Sequence, residues 1–537
     1  MDIKERSRRP RKKTLSLNNQ ALLAMVGVLS VVLVVLLIVC GSLMRQDTSN
    51  PSDTQLGSQG TTNGAESQGT NPSESVVAPV PSQPTTSSTP TTTTTPTTPT
   101  TTTVPTTAPT KPVTPTGGNY VNVGSGYIVE VIRTNVETFD GDTTDDYSHP
   151  TNNYLPEGTV DYCDRDLVWR GETSYVLMRS GHRTYVEKKV YPFDKEPITR
   201  KIAEVKRYEG TLPDHNEIGI ASFSVSGHHT VLTLDSLWKA PFYFDIAPQK
   251  YANPDGGSNR SYSITSVTAT YVDITFCYAT VFNGKLTIPT SNPLFKSAEI
   301  IKNESDYTLR LHLRKTGGFY GWHAYYNEKN QLCFQFLNPV KVTKADNAYG
   351  ANLKGAIVMI DVGHGGTDGG AVGKDATGQK WEEADLNLLL AETLKKELES
   401  IGATVLMNRS DDSSININAR LDDLVAKSPD ICVAIHQNSY STDEVTGFDA
   451  MYFTPYSKLL AQKIAEHTKE TGVYSKSRFS WSVNYFMMRQ TVCPTILTEN
   501  GYMSNPEELG KMSNAQTVLL KAQAMTRGIV DHFLAIK

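Results

Sequence analysis

No two cysteines of this 537-residue chain stand close together. The six lie at positions 40, 163, 277, 333, 432 and 493, so there is no CxxC metal or redox motif, and the five that follow residue 44 are odd in number. A disulfide framework is not indicated, and Cys432 and Cys493 read as small buried apolar residues beside strands. A strong excess of one charge is also missing. The formal net charge is −5, and no nucleic-acid partner is expected. Charge is absent altogether from Ala21 to Met44, "ALLAMVGVLSVVLVVLLIVCGSLM". From Gln46 to Gly118 both charge and aromatic residues nearly vanish.

The uncharged run is flanked by Lys4, Arg6, Arg8, Arg9, Arg11, Lys12 and Lys13 on one side and Arg45 on the other. As a helix at about 1.5 Å per residue it would reach roughly 36 Å, enough for a bilayer core of about 30 Å. The basic flank predicts a cytoplasmic tail over 1–20, one transmembrane helix over 21–44, and everything beyond it outside the cell membrane. A cleaved signal peptide would have a shorter apolar core. In a lipoprotein signal, a smaller residue than Val39 would precede Cys40. Residues 45–118 are Ser, Thr and Pro-rich and predict a disordered linker. Extended at about 3.1 Å per residue it would span roughly 220 Å, a spacer suited to a target deep in a cell wall.

Folded character begins near residue 119. From there to 345 short alternating runs such as "SYSITSVTATYVDITFCYATVF" predict antiparallel β structure. The region is long for one sandwich, so two subdomains are expected, with a boundary near 205–220. His228 and His229 are neighbours, and neighbours on a strand face opposite ways, which argues against a shared ion. The role predicted for the region is targeting or wall binding.

From 350 to 537 the pattern changes. Apolar runs of strand length fall at 356–362, 403–407, 430–436, 447–453 and 494–499. Between them lies "EADLNLLLAETLKKELESIG", with Leu386, Leu390, Leu394 and Leu398 on one stripe and Gly402 at its end. This predicts an α/β domain, a largely parallel mixed sheet flanked by helices.

In such sheets ligands bind beyond the carboxyl ends of the strands. The first strand there delivers His364 into the glycine-rich "IDVGHGGTDGGAVG", where the backbone can take unusual angles and let a ligand approach. "DICVAIH" ends in His436 and "PTILTE" in Glu499, while Glu383 opens the leucine-striped helix. Two imidazoles and a carboxylate form the ligand set of a catalytic zinc. Glu499 is then left to move protons. Glu383 has a second reading, as a carboxylate placed to favour the helix dipole.

The segment 356–537 resembles the zinc-dependent N-acetylmuramoyl-L-alanine amidases of type 3, through "IDVGHGGTDGGAVG", "EEADLNLLLA", "LMNRSDD", "NARLDDL", "VAIHQNS" and "CPTILTENGYMSNPEE". The resemblance implies His364, Glu383 and His436 as Zn2+ ligands and Glu499 as the catalytic glutamate. Glu382 is the alternative to Glu383, but only Glu383 lies four residues before Asn387. Val362 stands where the family usually has proline and Tyr502 where it has phenylalanine. The implied partner is peptidoglycan, a glycan strand with stem peptide, cut between N-acetylmuramic acid and L-alanine. A zinc peptidase acting within the stem peptide, or a wall-binding scaffold with a decayed enzyme domain, are the competing readings. Some relatives carry a helix that plugs the zinc site after the second histidine. Here about ten residues separate His436 from Gly447, too few for such a helix and its connections.

Overall fold

The computed structural model describes residues 119–121, 127–140, 150–169, 173–189, 199–200, 205–209, 212–247, 269–481 and 485–536. Among them no helix is long and apolar enough to cross a membrane; the expected span 21–44 and the linker 45–118 lie outside the described residues.

The β-rich region holds two assemblies. In the first, an antiparallel ladder runs through Pro150–Leu155, Val136–Asp140, His182–Lys189, Thr173–Met178, Val160–Trp169, Tyr127–Val131 and Val205–Glu209. Its core sets the buried Arg183 guanidinium over the rings of Phe139 and Tyr175, 4.9 and 4.8 Å from their centroids. The second is a sandwich. One sheet contains Asn216–Ser226, His229–Ser236, Leu332–Leu337 and Trp322–Tyr326, and the other contains Phe242–Ala247, Tyr271–Phe276, Tyr307–Leu313 and Phe295–Lys302. Alternation along these strands turns aromatic residues inward, where Phe244 stacks on Trp322 at 4.1 Å and Phe242 meets Phe334 edge-on at 4.8 Å.

The C-terminal domain is built on strands β1 (Ile357–Val362), β2 (Thr404–Met407), β3 (Ile431–Asn438), β4 (Phe448–Tyr452), β5 (Ser477–Trp481) and β6 (Thr495–Tyr502), in the order β2-β1-β3-β6-β4-β5. The pairs β1–β2, β1–β3 and β3–β6 are parallel, whereas β4 runs against β6 and carries β5 parallel to itself. The sheet is therefore mixed, with a parallel core. β6 is buried throughout and β1 nearly so, as expected for strands covered on both faces. Helices α1 (Glu383–Ser400), α2 (Ile417–Lys427), α3 (Lys458–Glu470), α4 (Pro506–Ser513) and α5 (Ala515–Ile536) surround it. The stripe Leu386, Leu390, Leu394 and Leu398 on α1 is buried, and Gly402 follows the helix at φ 91°. The five described cysteines are free and buried.

The sandwich and this domain share one continuous apolar core. Trp322 N–H donates to the Thr491 carbonyl at 2.8 Å, and the Tyr320 hydroxyl donates to the Ile536 carbonyl. At Gly321 the chains come so close that a Cβ would lie 2.4 Å from the Val492 carbonyl oxygen. His228 and His229 both face this junction. His228 Nδ1 pairs with Asp430 at 3.0 Å, and His229 Nε2 meets the Ser428 hydroxyl at 2.9 Å.

Candidate active site

β1 ends at Val362, and Gly363 follows it because a Cβ there would lie 2.4 Å from the His436 ring. His364 then takes φ 59°, a left-handed conformation that non-glycine residues seldom adopt. Two buried arginines hold the strained turn. Arg420, on α2, pairs with Asp361 at 2.8 Å and donates to the carbonyls of Val362 and His364 at 2.7 and 3.0 Å. Arg409 donates to the carbonyls of Gly363 and Ala384 at 2.9 and 2.8 Å, so it ties the turn to the start of α1.

Glu383 is the first residue of α1, yet its carboxylate does not cap the helix. It accepts from the N–H groups of Ala371 and Gln437, both at 3.0 Å, and from the Asn387 amide at 3.3 Å. The helix start is satisfied instead by glycine-loop carbonyls: Glu383 N–H donates to Ala371 and Ala384 N–H to Gly369. Glu382 points elsewhere and pairs with Lys380 at 2.9 Å.

His364 Nε2 lies 3.1 Å from Glu383 Oε2, and His436 Nδ1 lies 3.0 Å from Glu383 Oε1. One ligand-type atom from each of the three falls within 4.8 Å of the others. The other imidazole nitrogen of His364 donates to Asp368 at 2.8 Å, which leaves Nε2 as the atom turned to the cluster. Gly370 keeps the space open, since a Cβ there would lie 2.7 Å from Glu383 Oε2. Burial alone would raise the Glu383 pKa, but the two histidines outweigh it and hold the carboxyl well below its usual range. Burial would lower His364, but Glu383 and Asp368 push it up to about 9. A buried carboxylate between two imidazoles, one already oriented by a second carboxylate, fits a divalent ion with nitrogen and oxygen preference such as zinc.

Glu499 comes from β6, in register with His436 of β3 on one side and Asp449 of β4 on the other. It is 7% exposed, and its Oε2 has no hydrogen-bond partner among the described residues. Burial pushes its pKa up to about 7; the charges of Glu383 and Asp449 add to that effect and the two histidines oppose it. Asp449 is itself occupied, by Arg478 at 2.7 Å and the Ser480 hydroxyl at 3.0 Å. A carboxyl poised near neutrality can both accept and return a proton.

The structure thus brings the four residues singled out in the sequence to one end of the sheet. Sequence reasoning missed Asp368, Asn387's contact to the Gly363 carbonyl at 3.2 Å, and the clamping roles of Arg409 and Arg420. The arginines stand in the quoted "LMNRSDD" and "NARLDDL", but nothing local says that their partners are strand-end carbonyls.

A mixed sheet with two histidines and a glutamate meeting over its strand ends, and a second buried carboxylate beside them, is a layout that could hold a divalent ion next to a proton-transfer group. Residues 358–531 match the model of the family described as N-acetylmuramoyl-L-alanine amidase, and this segment is a type-3 amidase domain. The chain is similar to the "Probable cell wall amidase LytH" of Staphylococcus aureus, 32% identical over 192 residues, which cover 36% of this chain and 63% of that protein. The protein of the same name from Staphylococcus epidermidis is 32% identical over 190 residues, 35% of this chain and 62% of its own length. The chain therefore spans less than two thirds of these relatives. Among solved structures, the catalytic domain of CwlV, an N-acetylmuramoyl-L-alanine amidase from Paenibacillus polymyxa, is 27% identical, with 34% of this chain and 99% of that one covered and a TM-score of 0.32. An N-acetylmuramoyl-L-alanine amidase from Clostridium difficile 630 is 29% identical, with 33% and 95% covered and a TM-score of 0.31.

Proposed function

We propose that this protein is a peptidoglycan hydrolase that cuts the amide between the lactyl group of N-acetylmuramic acid and L-alanine of the stem peptide. The observation that carries the reading is the meeting of His364, Glu383 and His436, with Glu499 buried in register beside His436. The three would hold Zn2+, which when bound supplies Lewis-acid polarisation of a carbonyl and makes water acidic near neutrality. Glu499 accepts the proton of the attacking water and returns it to the departing amine. Arg420 and Arg409 hold the His364 turn in place, and Asp368 fixes the imidazole tautomer.

Residues 21–44 are proposed to anchor the chain in the cell membrane, with the N-terminus cytoplasmic and the catalytic domain on the wall side. Protease accessibility on intact and opened cells tests that topology.

The deciding experiment is mass analysis of fragments released from purified peptidoglycan by the zinc-loaded chain. The expected products are glycan with free lactyl carboxylates and peptides that begin with a free L-alanine amine. L-alanine left on muramic acid would mean a cut inside the stem peptide, and would replace this reading with that of a peptidase.

A further inference from the structure

Away from the catalytic centre, a cleft of about 450 Å³ lies where the first β assembly meets the sandwich. Such a volume is in the usual range for small-ligand pockets, roughly 300–1,000 Å³. One wall is formed by residues 130–134 and the turn 156–158, the other by Lys239 and the hairpin end 324–330. Gly158 N–H donates to the Val131 carbonyl at 2.7 Å and ties the first wall together, while Val160 N–H donates to the Lys239 carbonyl at 2.9 Å and joins the two sides. The cleft is therefore preformed.

Two of its charged groups have no partner of opposite charge among the described residues. The Lys239 ammonium sits 4.8 Å from the centroid of the Tyr326 ring and has no carboxylate partner among the described residues. Gly158, at φ 87°, makes room for it, since a Cβ there would lie 3.2 Å from Nζ. Glu157 lines the same cleft, exposed and without an ion pair among the described residues. The side-chain amide of Asn330 likewise makes no hydrogen bond to another described residue. Glu130, also in the lining, is already met by Lys206 at 3.8 Å.

One ammonium and one carboxylate, neither with a partner of opposite charge among the described residues, line a common space with tyrosine rings beside them and call for a ligand that carries both charges. A neutral sugar would satisfy neither. An anion alone would leave Glu157 opposed. We propose that this cleft binds the stem peptide of peptidoglycan in a form with free ends, its terminal carboxylate on Lys239 and its amine on Glu157. The identity of the peptide rests on the amidase reading above. Hydrolysis of the lactyl amide breaks the C–N bond, places the water's hydroxyl on the lactyl carbonyl carbon and its proton on nitrogen, and so creates that free amine. The Arg133 guanidinium, 3.7 Å from Asp422 on α2, places this end of the β region against the helix that carries Arg420.

The test is calorimetric titration of the full-length chain with four probes: a synthetic stem peptide with free ends, the same peptide N-acetylated, the same peptide C-amidated, and a peptide-free glycan tetrasaccharide. The free-ended peptide should bind, and capping either end should weaken it about tenfold, the scale of one charge-assisted hydrogen bond. Lys239→Gln should weaken the free-ended peptide about tenfold and leave the amidated one unchanged. Glu157→Gln should do the same with respect to acetylation. Both variants should still release peptides from peptidoglycan at the parent rate, which also shows that they are folded. The proposal is overturned by no binding, by binding that neither substitution alters, or by Lys239-dependent binding of the glycan in place of the peptide. A chain that cuts the lactyl amide but fails the titration overturns this inference alone. One that binds the free-ended peptide through Lys239 and cuts nothing overturns the catalytic reading alone.

Discussion

Glu499→Gln separates the chemistry of this carboxyl from its electrostatic cost. The substitution keeps the shape and removes the proton acceptor, so hydrolysis should fall by about 10²–10⁴, the usual weight of general acid–base catalysis. The same group leaves a mark on stability. Its pKa is raised from near 4.5 to about 7, with burial the main cause. Between those values the folded state holds a proton that the unfolded chain has lost, so its contribution is fully present below pH 4.5 and fades as pH rises through 7. At about 1.4 kcal/mol per pKa unit, the loss in the metal-free protein amounts to about 3 kcal/mol.

Glutamine carries no such titration. Its amide meets the same partner-poor site as a protonated glutamate, so the two proteins should be of similar stability near pH 4.5. Above pH 7 the variant should be the more stable, by several degrees at about 2–4 °C per kcal/mol. Melting temperatures of chelator-treated parent and variant from pH 4.5 to 8.5, beside metal content and hydrolysis of the loaded proteins, make the comparison. Parallel melting profiles, or a variant with a tenth or more of parental activity, would refute the reasoning. Loss of stoichiometric zinc would instead make Glu499 a ligand.

His364→Ala or His436→Ala should each abolish stoichiometric zinc, measured by metal analysis of the purified chain, and activity with it. Because Glu383 and Asp368 outweigh burial and hold His364 at about 9 in the metal-free protein, zinc binding at pH 7.5 should release about one proton. Calorimetry in buffers of different ionisation enthalpy reads that number, which should shrink as pH passes 9. Arg420→Met leaves Asp361 buried without its cation and frees the His364 turn, so chemical denaturation should show a loss of about 3–5 kcal/mol. The segment between His436 and Phe448 holds no helix, so the zinc-loaded chain should hydrolyse peptidoglycan with no added protein; a chain inert until a partner is supplied would refute an uncovered site.

What the sequence made legible follows from periodicity and from strand ends. The leucine stripe of α1 and the apolar runs of β1, β3 and β6 are local patterns, and strand polarity alone sends His364, His436 and Glu499 to one rim. The four-residue spacing of Glu383 to Asn387 also has a physical basis, since the Asn387 amide reaches the Glu383 carboxylate one helical turn away. β5 escaped notice because "SRFSW" is an edge strand without an apolar run, and none of residues 477–480 is buried. The reversal of β4 and β5 is likewise silent in any local pattern. Arg409 and Arg420 could not be assigned because most of their partners are main-chain carbonyls, which every residue has, and the one carboxylate partner, Asp361 on Arg420, lies far away in the sequence. The cleft was illegible for a stronger reason: residues 130–134, 156–158, 239 and 324–330 are brought together by tertiary folding alone.

His228 shows how the β region bears on the catalytic end of the molecule. Asp430 stands just before β3, where one carboxylate oxygen takes His228 from the sandwich and the other accepts the N–H of Ile357 at the start of β1. The hydrogen bond to Asp430 raises the His228 pKa, so this link is strongest when the imidazole is charged and weakens as pH rises through the raised value. β1 and β3 are the two strands whose far ends deliver His364 and His436. The sandwich therefore fixes the near ends of both histidine-bearing strands, while Arg409 and Arg420 fix the turn at the far end of β1. Cutting the chain near residue 345 would release Asp430 from its partner and expose the apolar surface around Val492 and Ile536. A catalytic fragment made that way would report on a domain whose two histidine strands had lost one of their supports.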